Sequence, residues 1–216
     1  MEALSYKTLR GRGEREFIIN KSRFIGQGAP CRTEAEALAF LAEVREGHKD
    51  ANHNCYAYII GRNMGIMRYS DDGEPGGTAG MPIIEVMKAR GVVDCAVVVT
   101  RYFGGILLGA GGLTRAYAQG SKEALDAGGV VTMEMSRRHL AEVDYATWQR
   151  LEYFLKSAPC RIEGTEFTDR VTTNLLVRKR DEAQLLADIT RVCDGRVETL
   201  EDGECYFPWD EDGKTE

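Results

Sequence analysis

The chain has 216 residues, 43% of them apolar, which is ample for a packed core and excludes a disordered chain. Its formal charge is −6, but seven acids against Lys214 between Glu201 and Glu216 account for all of it. The remaining 200 residues are neutral, so no basic excess exists to drive nonspecific nucleic-acid binding, and DNA is not an expected partner.

Met1 to Ser22 alternates polar and charged residues. It lacks the apolar run of about 7–15 residues that a secretory signal needs. No stretch reaches the ~18 apolar residues of a spanning helix. A cytoplasmic protein with no membrane partner is expected. The six cysteines are widely spaced, without a CxxC pair. That spacing argues against a disulfide scaffold or a zinc site and favours buried thiols. No cofactor or metal is expected.

Arg15 to Pro30 reads as two extended segments around Asn20-Lys21-Ser22. Thr33 then opens a helix, with Glu36 at the capping-box spacing and Leu38, Leu41 and Val44 as its apolar stripe. His53 to Ile60 is a strand with Cys55, Ala57 and Ile59 on one face and Tyr56, Tyr58 and Ile60 on the other; Ile66 to Tyr69 is its hairpin partner. Cys55 is expected to face away from His53. Ser70 to Gly80 is too rich in breakers for regular structure. Met81-Pro82 starts a short helix with Ile83, Val86 and Met87 on its apolar side. Val92 to Thr100 is a buried strand, Gly104 to Gly112 a turn, and Leu113 to Ala127 a helix stopped by Gly128-Gly129. Val130 to Met135 closes this part.

After Ser136 the pattern changes. Arg138 to Val143, Ala146 to Ser157, Cys160 to Phe167, Val171 to Arg178, Glu182 to Cys193 and a strand within Arg196 to Phe207 give β-α-β-β-α-β, the ferredoxin-like order. The fold class is therefore α+β. The domains are expected at 1–135 and 136–207, with 208–216 as an unstructured acidic tail.

Ten of the 24 glycines lie between Asp71 and Tyr117, about twice an even share, so this stretch is the candidate site. Two glycine loops that each lead into a helix can aim backbone N–H groups at an anion. The first carries Asp71, Asp72, Glu74 and Thr78; its carboxylates suit a basic partner or a ligand hydroxyl, though acids also serve plain turns. The second carries Arg101, Tyr102, Phe103, Gly104 and Gly105, with Arg115 one turn into the next helix. An arginine at the end of a buried strand suits an anionic ligand, and the aromatics suit stacking on bases. The plainer account is that the aromatics fill core and Arg101 pairs with a local carboxylate. GxxxxGK[ST] and GxSxG are both absent. His53, amid Asn52, Asn54 and Tyr56, is a candidate general base, with Asp72 and Glu74 as the other acid/base candidates.

Lys21-Ser22-Arg23-Phe24-Ile25, His53-Asn54-Cys55-Tyr56-Ala57-Tyr58, Ser70 to Pro75 with Gly77-Thr78-Ala79-Gly80, and Val98 to Gly105 through Leu108 to Leu113 together resemble the IMPACT family, in its bacterial YigZ-like branch. The likeness covers roughly Phe17 to Ala118; Gly77 stands where many relatives carry serine. The resemblance implies an N-terminal domain like the second domain of a small-subunit ribosomal protein and a C-terminal domain like the last domain of elongation factor G. It implies a translation-associated binding or regulatory protein whose partner is RNA, the ribosome or a translation factor. Eukaryotic members of the family carry an additional N-terminal partner-binding domain, which is not expected in this chain. The expectation is thus a non-catalytic binding protein working through the glycine-rich loops. The alternative is an enzyme acting on a small phosphorylated or nucleotide ligand.

Overall fold

The computed structural model describes residues 4–209. It divides into two compact units, Tyr6–Val131 and a second that takes in the chain up to Ser5 and from Thr132 onward. In chain order the elements are β1 (Ser5–Leu9), β2 (Gly13–Ile19), β3 (Ser22–Pro30), α1 (Glu34–Gly47), β4 (His53–Ile60), β5 (Ile66–Ser70), α2 (Gly80–Arg90), β6 (Cys95–Tyr102), α3 (Gly109–Gly128), β7 (Val130–Val143), α4 (Tyr145–Leu155), β8 (Cys160–Phe167), β9 (Val171–Arg178), α5 (Glu182–Val192) and β10 (Glu198–Pro208). The protein is mixed α+β, with antiparallel sheets in both units. No helix among the described residues is long and apolar enough to cross a membrane.

The first unit is built on the sheet β2-β3-β6-β4-β5. β2 and β3 join through Asn20 and Lys21, both at positive φ, the geometry that matches strand twist in a two-residue hairpin. On one face α1 packs against Tyr58, Ile60, Ala96 and Val98; on the other α2 and α3 pack against Cys55, Ala57, Ile59, Val97 and Val99. β6 is therefore buried on both faces, which is why it reads as an unbroken apolar run. It begins at Cys95, later than expected. Asp94 takes φ 52°, and its Oδ1 accepts from the Gly61 N–H, so the chain turns there before entering the sheet.

Helix α1 starts as its sequence dictates. Thr33 accepts from the Glu36 N–H, and the Glu36 carboxylate accepts from the Arg32 N–H. Its buried row is Ala37, Phe40, Leu41 and Val44, spaced i, i+3, i+4, i+7. Leu38 falls off that row and is 51% exposed. Helix α3 begins at Gly109, inside the expected turn. Glycine costs a helix only about 1 kcal/mol relative to alanine, and the packed row Leu113, Ala116, Tyr117, Gly120 and Ala124 carries the glycine-rich turn with it. α3 lies so close to the sheet that a Cβ on Gly26 would sit 2.2 Å from the Gly120 carbonyl oxygen.

In the second unit β9 and β10 flank β7, and β8 pairs with β9, in the order β-α-β-β-α-β. Its core joins Leu151 and Leu155 of α4, Leu185 and Ile189 of α5, and Val171, Leu175 and Val177 of β9. Two strands expected at Val130–Met135 and Arg138–Val143 are one. Ser136, which reads as a break, is buried and keeps ladder register with Cys205 and Arg178. The expected tail also starts later. Pro208 ends β10, and Trp209 is buried, donating Nε1–H to Ser136 Oγ at 2.9 Å beneath the Arg178 guanidinium. The acidic residues 210–216 lie outside the described residues. All six cysteines are free thiols.

Replacing Gly26 with alanine forces a methyl group into the Gly120 backbone. It should lower stability by about 2–3 kcal/mol or more, read as a reduced urea midpoint with unchanged slope.

Candidate functional site

The acidic loop is organised by Asp71. Its Oδ1 accepts from the N–H groups of Ala79 (3.0 Å) and Gly80 (2.8 Å), and its Oδ2 from Gly77 (2.8 Å). Helix α2 has no side-chain cap from its own N-cap residue Ala79, so Asp71 caps it across the loop. Gly77 sits at φ +78°, a conformation that suits glycine and strains any L side chain. Burial pushes the Asp71 carboxyl upward, but the three N–H donors from Gly77, Gly80 and Ala79 outweigh it and hold the group below the usual aspartate range. Thr78 completes the turn by donating its hydroxyl to the Pro75 carbonyl at 2.7 Å.

The loop is stapled to β4. Asp72, at φ 44°, accepts the Asn54 N–H on Oδ2 at 2.6 Å, and the Asp71 carbonyl accepts the Cys55 thiol at 2.9 Å. His53 Nδ1 lies 2.8 Å from the Asp72 carbonyl oxygen. A carbonyl only accepts, so Nδ1 carries a proton, and Nε2 is the ring nitrogen left to face Glu74. His53 and Cys55 are two residues apart on one strand. They share a face, which corrects the expectation that they point apart. Burial pushes the Cys55 thiol up to about 12, so it is a neutral hydrogen-bond donor and not a nucleophile.

At the centre Glu74 and Arg101 form an ion pair with side chains 3% and 6% exposed, Nη1 lying 2.6 Å from Oε1. Tyr117 of α3 donates its hydroxyl to the same oxygen at 2.7 Å, and His53 Nε2 stands 4.0 Å from it. Burial, with the Cys55 thiol and Glu74 carboxylate alongside, raises the Tyr117 hydroxyl well above its ordinary value and keeps it protonated. Arg101 Nη2 donates to Ser22 Oγ at 3.3 Å, and the guanidinium lies between the rings of Phe24 and Phe103. Arg101 Nε is buried without an acceptor. His53, the acidic loop and Arg101 thus converge. Arg101 was expected to meet an outside anion, but its anion is Glu74, because the two side chains are buried together and neutralise each other.

The second loop divides at Tyr102. Tyr102 points to the α1 face, where its hydroxyl meets His48 Nδ1 at 2.9 Å and Arg23 covers its ring. Phe103 stays 44% exposed, with its N–H donated to Asn52 Oδ1 at 2.7 Å. The Gly104 N–H goes to Ser22 Oγ at 3.2 Å, and a Cβ there would strike the Lys21 backbone at 2.0 Å. Gly105 and Gly109 take φ +83° and +69° and turn the chain outward and back. Arg115 is exposed and does not reach the Glu74–Arg101 cluster; its guanidinium lies beside Gly111. Tyr117, Ser22 and Asn52 carry roles that the motifs did not reveal. The available signal was the hydroxyl of Tyr117 on an otherwise apolar helix row, which needs a polar partner when buried.

Among the described residues no group of three or more His, Cys, Asp or Glu side chains is placed to hold a metal ion. Fold and site define a two-unit α+β protein whose first unit clamps two glycine loops around a buried ion pair. The chain belongs to the IMPACT family. Residues 20–125 match the Impact N-terminal domain, and residues 142–196 match a domain of unknown function, DUF1949. The chain is similar to IMPACT family member YvyE of Bacillus subtilis (strain 168), 38% identical over 203 residues, covering 94% of this chain and 93% of that one. IMPACT family member YigZ of Escherichia coli (strain K12) is 46% identical over 109 residues, 50% of this chain and 53% of that one. A crystal structure of a hypothetical protein superposes with a TM-score of 0.60 at 30% identity, covering 92% of this chain and 98% of that one.

Arg101→Met leaves the Glu74 carboxylate buried without its cation and should cost about 3–5 kcal/mol, whereas the paired change Glu74→Gln with Arg101→Met should recover most of it. Urea unfolding of the four proteins in the cycle decides. Asp71→Ala should cost about 2–4 kcal/mol through three lost charge-assisted bonds. The folded-state carboxyl titrates below its unfolded value. The stability gap between the native protein and Asp71→Asn is therefore full above about pH 5 and shrinks as pH falls through about 4 and below. A gap that stayed constant down to about pH 2 would refute the assignment.

Proposed function

We propose that this is a translation-associated binding protein of the cytoplasm that engages a macromolecular partner on the ribosome through the second glycine loop, residues 103–112. The observation that carries the reading is the division of labour within the glycine-rich stretch. Glu74, Arg101 and Tyr117 are buried and bonded to one another, while Phe103, Ile106 and Leu107 stand 44%, 43% and 84% exposed. Burying the first set fixes the position of the second. Lys21 and Arg115 add positive charge near the same loop, which suits a partially anionic partner. The element order of the second unit fits a counterpart of the last domain of elongation factor G. The resemblance implies a first unit like the second domain of a small-subunit ribosomal protein. Both parallels follow from the resemblance and favour the ribosome as the setting.

Leu107→Ala and Arg115→Glu leave the buried clamp intact. Each should weaken co-sedimentation with purified ribosomes by about tenfold, and the Arg115 effect should shrink in high salt. Undiminished co-sedimentation of both folded variants would remove the loop from the function.

One observation supports the enzymatic alternative. His53 is held through Nδ1, leaving Nε2 as the basic nitrogen at a partly open position beside Glu74. Turnover of a phosphorylated or nucleotide compound, lost in His53→Ala, is the result that would establish it.

A further inference from the structure

The loop between β6 and α3 has two properties that separate kinds of partner. Its exposed surface is aliphatic at the tip: Leu107 is 84% exposed and Ile106 43%, with Phe103 at the base. Soluble proteins tolerate scattered apolar side chains at their surface, but three in five residues on one turn form a patch. Nucleic acid rewards aromatic and cationic side chains, through stacking and phosphate contact. It offers no enclosed apolar pocket for two protruding aliphatic groups, whereas a protein surface does.

The second property is that the loop is held at both ends. The Phe103 N–H is donated to Asn52 Oδ1 at 2.7 Å and the Gly104 N–H to Ser22 Oγ at 3.2 Å. Ser22 is fully buried and also accepts from Arg101 Nη2, so this end of the loop is tied to the ion pair. Gly104 lies against the Lys21 backbone with no room for a side chain. At the far end Leu108 packs onto the core. Between these anchors Gly105 and Gly109, at positive φ, push the segment outward. An apolar side chain held in place before binding loses little conformational freedom on insertion, as an anchor residue requires.

We propose that Leu107 and Ile106, with Phe103 beside them, form a preorganised apolar anchor that inserts into an apolar pocket on a partner protein, a pocket whose rim is acidic. The acidic rim follows from charge complementarity, since the exposed Lys21 lies with its backbone against Gly104 at the base of the loop and Arg115 sits in the second turn of α3 beside Gly111. This rests on the binding reading above and commits it to protein over RNA. Asn52 and Ser22 are then positioning residues, because they act on the partner only through the backbone of Phe103 and Gly104.

The test places a benzophenone photo-crosslinking residue at Ile106 of the full chain, with purified ribosomes as the probe and a whole lysate in parallel. The expected result is one adduct that is sensitive to protease and resistant to nuclease. Its protein component, sequenced by mass spectrometry, should carry an apolar pocket bordered by carboxylates. Leu107→Asp in the same chain should reduce the adduct about tenfold or more, and Lys21→Glu with Arg115→Glu a few-fold in a salt-dependent way. Asn52→Ala should weaken the adduct while Asn52→Asp, which keeps the acceptor oxygen, restores it. A nuclease-sensitive adduct with ribosome association intact would overturn the anchor and leave the binding reading standing. Loss of ribosome association together with the absence of any adduct in the lysate would overturn both. An adduct indifferent to Leu107→Asp would overturn the anchor alone.

Discussion

Glu74 and Arg101 are buried against each other, and most of what surrounds them exists to make that tolerable. Taking a carboxylate and a guanidinium out of water is costly, and the attraction between them repays this only when their remaining valences are filled. Tyr117 fills one on Glu74 and Ser22 one on Arg101; the rings of Phe24 and Phe103 cover the guanidinium faces. Those four residues come from α3, β3 and the loop after β6. The pair therefore fixes where three separate stretches of chain can lie. The Arg101 Nε without an acceptor shows that the arrangement is not fully satisfied, so its contribution is the location it dictates more than the stability it adds.

The acidic loop has a matching internal logic. Asp71 spends its carboxylate on the start of α2, Asp72 spends its own on β4, and Glu74 is thereby presented to Arg101. Three acids in four residues look like a ligand site in the sequence. In the fold each has a separate protein partner. The surface left to meet other molecules is the complementary piece, the short aliphatic arc after Phe103.

The sequence was legible wherever local rules decide structure. The Thr33 cap, the Asn20-Lys21 hairpin, the two-faced strand His53–Ile60 and the whole β-α-β-β-α-β order were readable because spacing and turn chemistry act over a few residues. Errors arose where tertiary packing overrode local signals. Leu38 looked like core and is exposed, because the helix face is set by contact with β4 and β6. Ser136 looked like a break and is the buried middle of β7. At the site, the sequence located the stretch but not the pairing. Arg101 and Glu74 are 27 residues apart, and Tyr117 lies 43 beyond Glu74, separations that carry no periodic signal. The error at Cys55 was of a different kind, since period two alone places it beside His53.

The position of β6 has a consequence for how the first unit comes into being. In the order β2-β3-β6-β4-β5 it is the last strand of this sheet along the chain and the middle one in space. The hairpins β2–β3 and β4–β5 are local and can pair as soon as they are made, yet each leaves an open edge facing the gap that β6 will fill. During synthesis those two edges stay unmatched until the chain has been extended past Tyr102. Arg101, which completes the ion pair, arrives at the end of the same strand, so closure of the sheet and formation of the clamp are one event. Long-range insertion of this kind is slow compared with hairpin formation and leaves unpaired strand edges open to other chains in the interval.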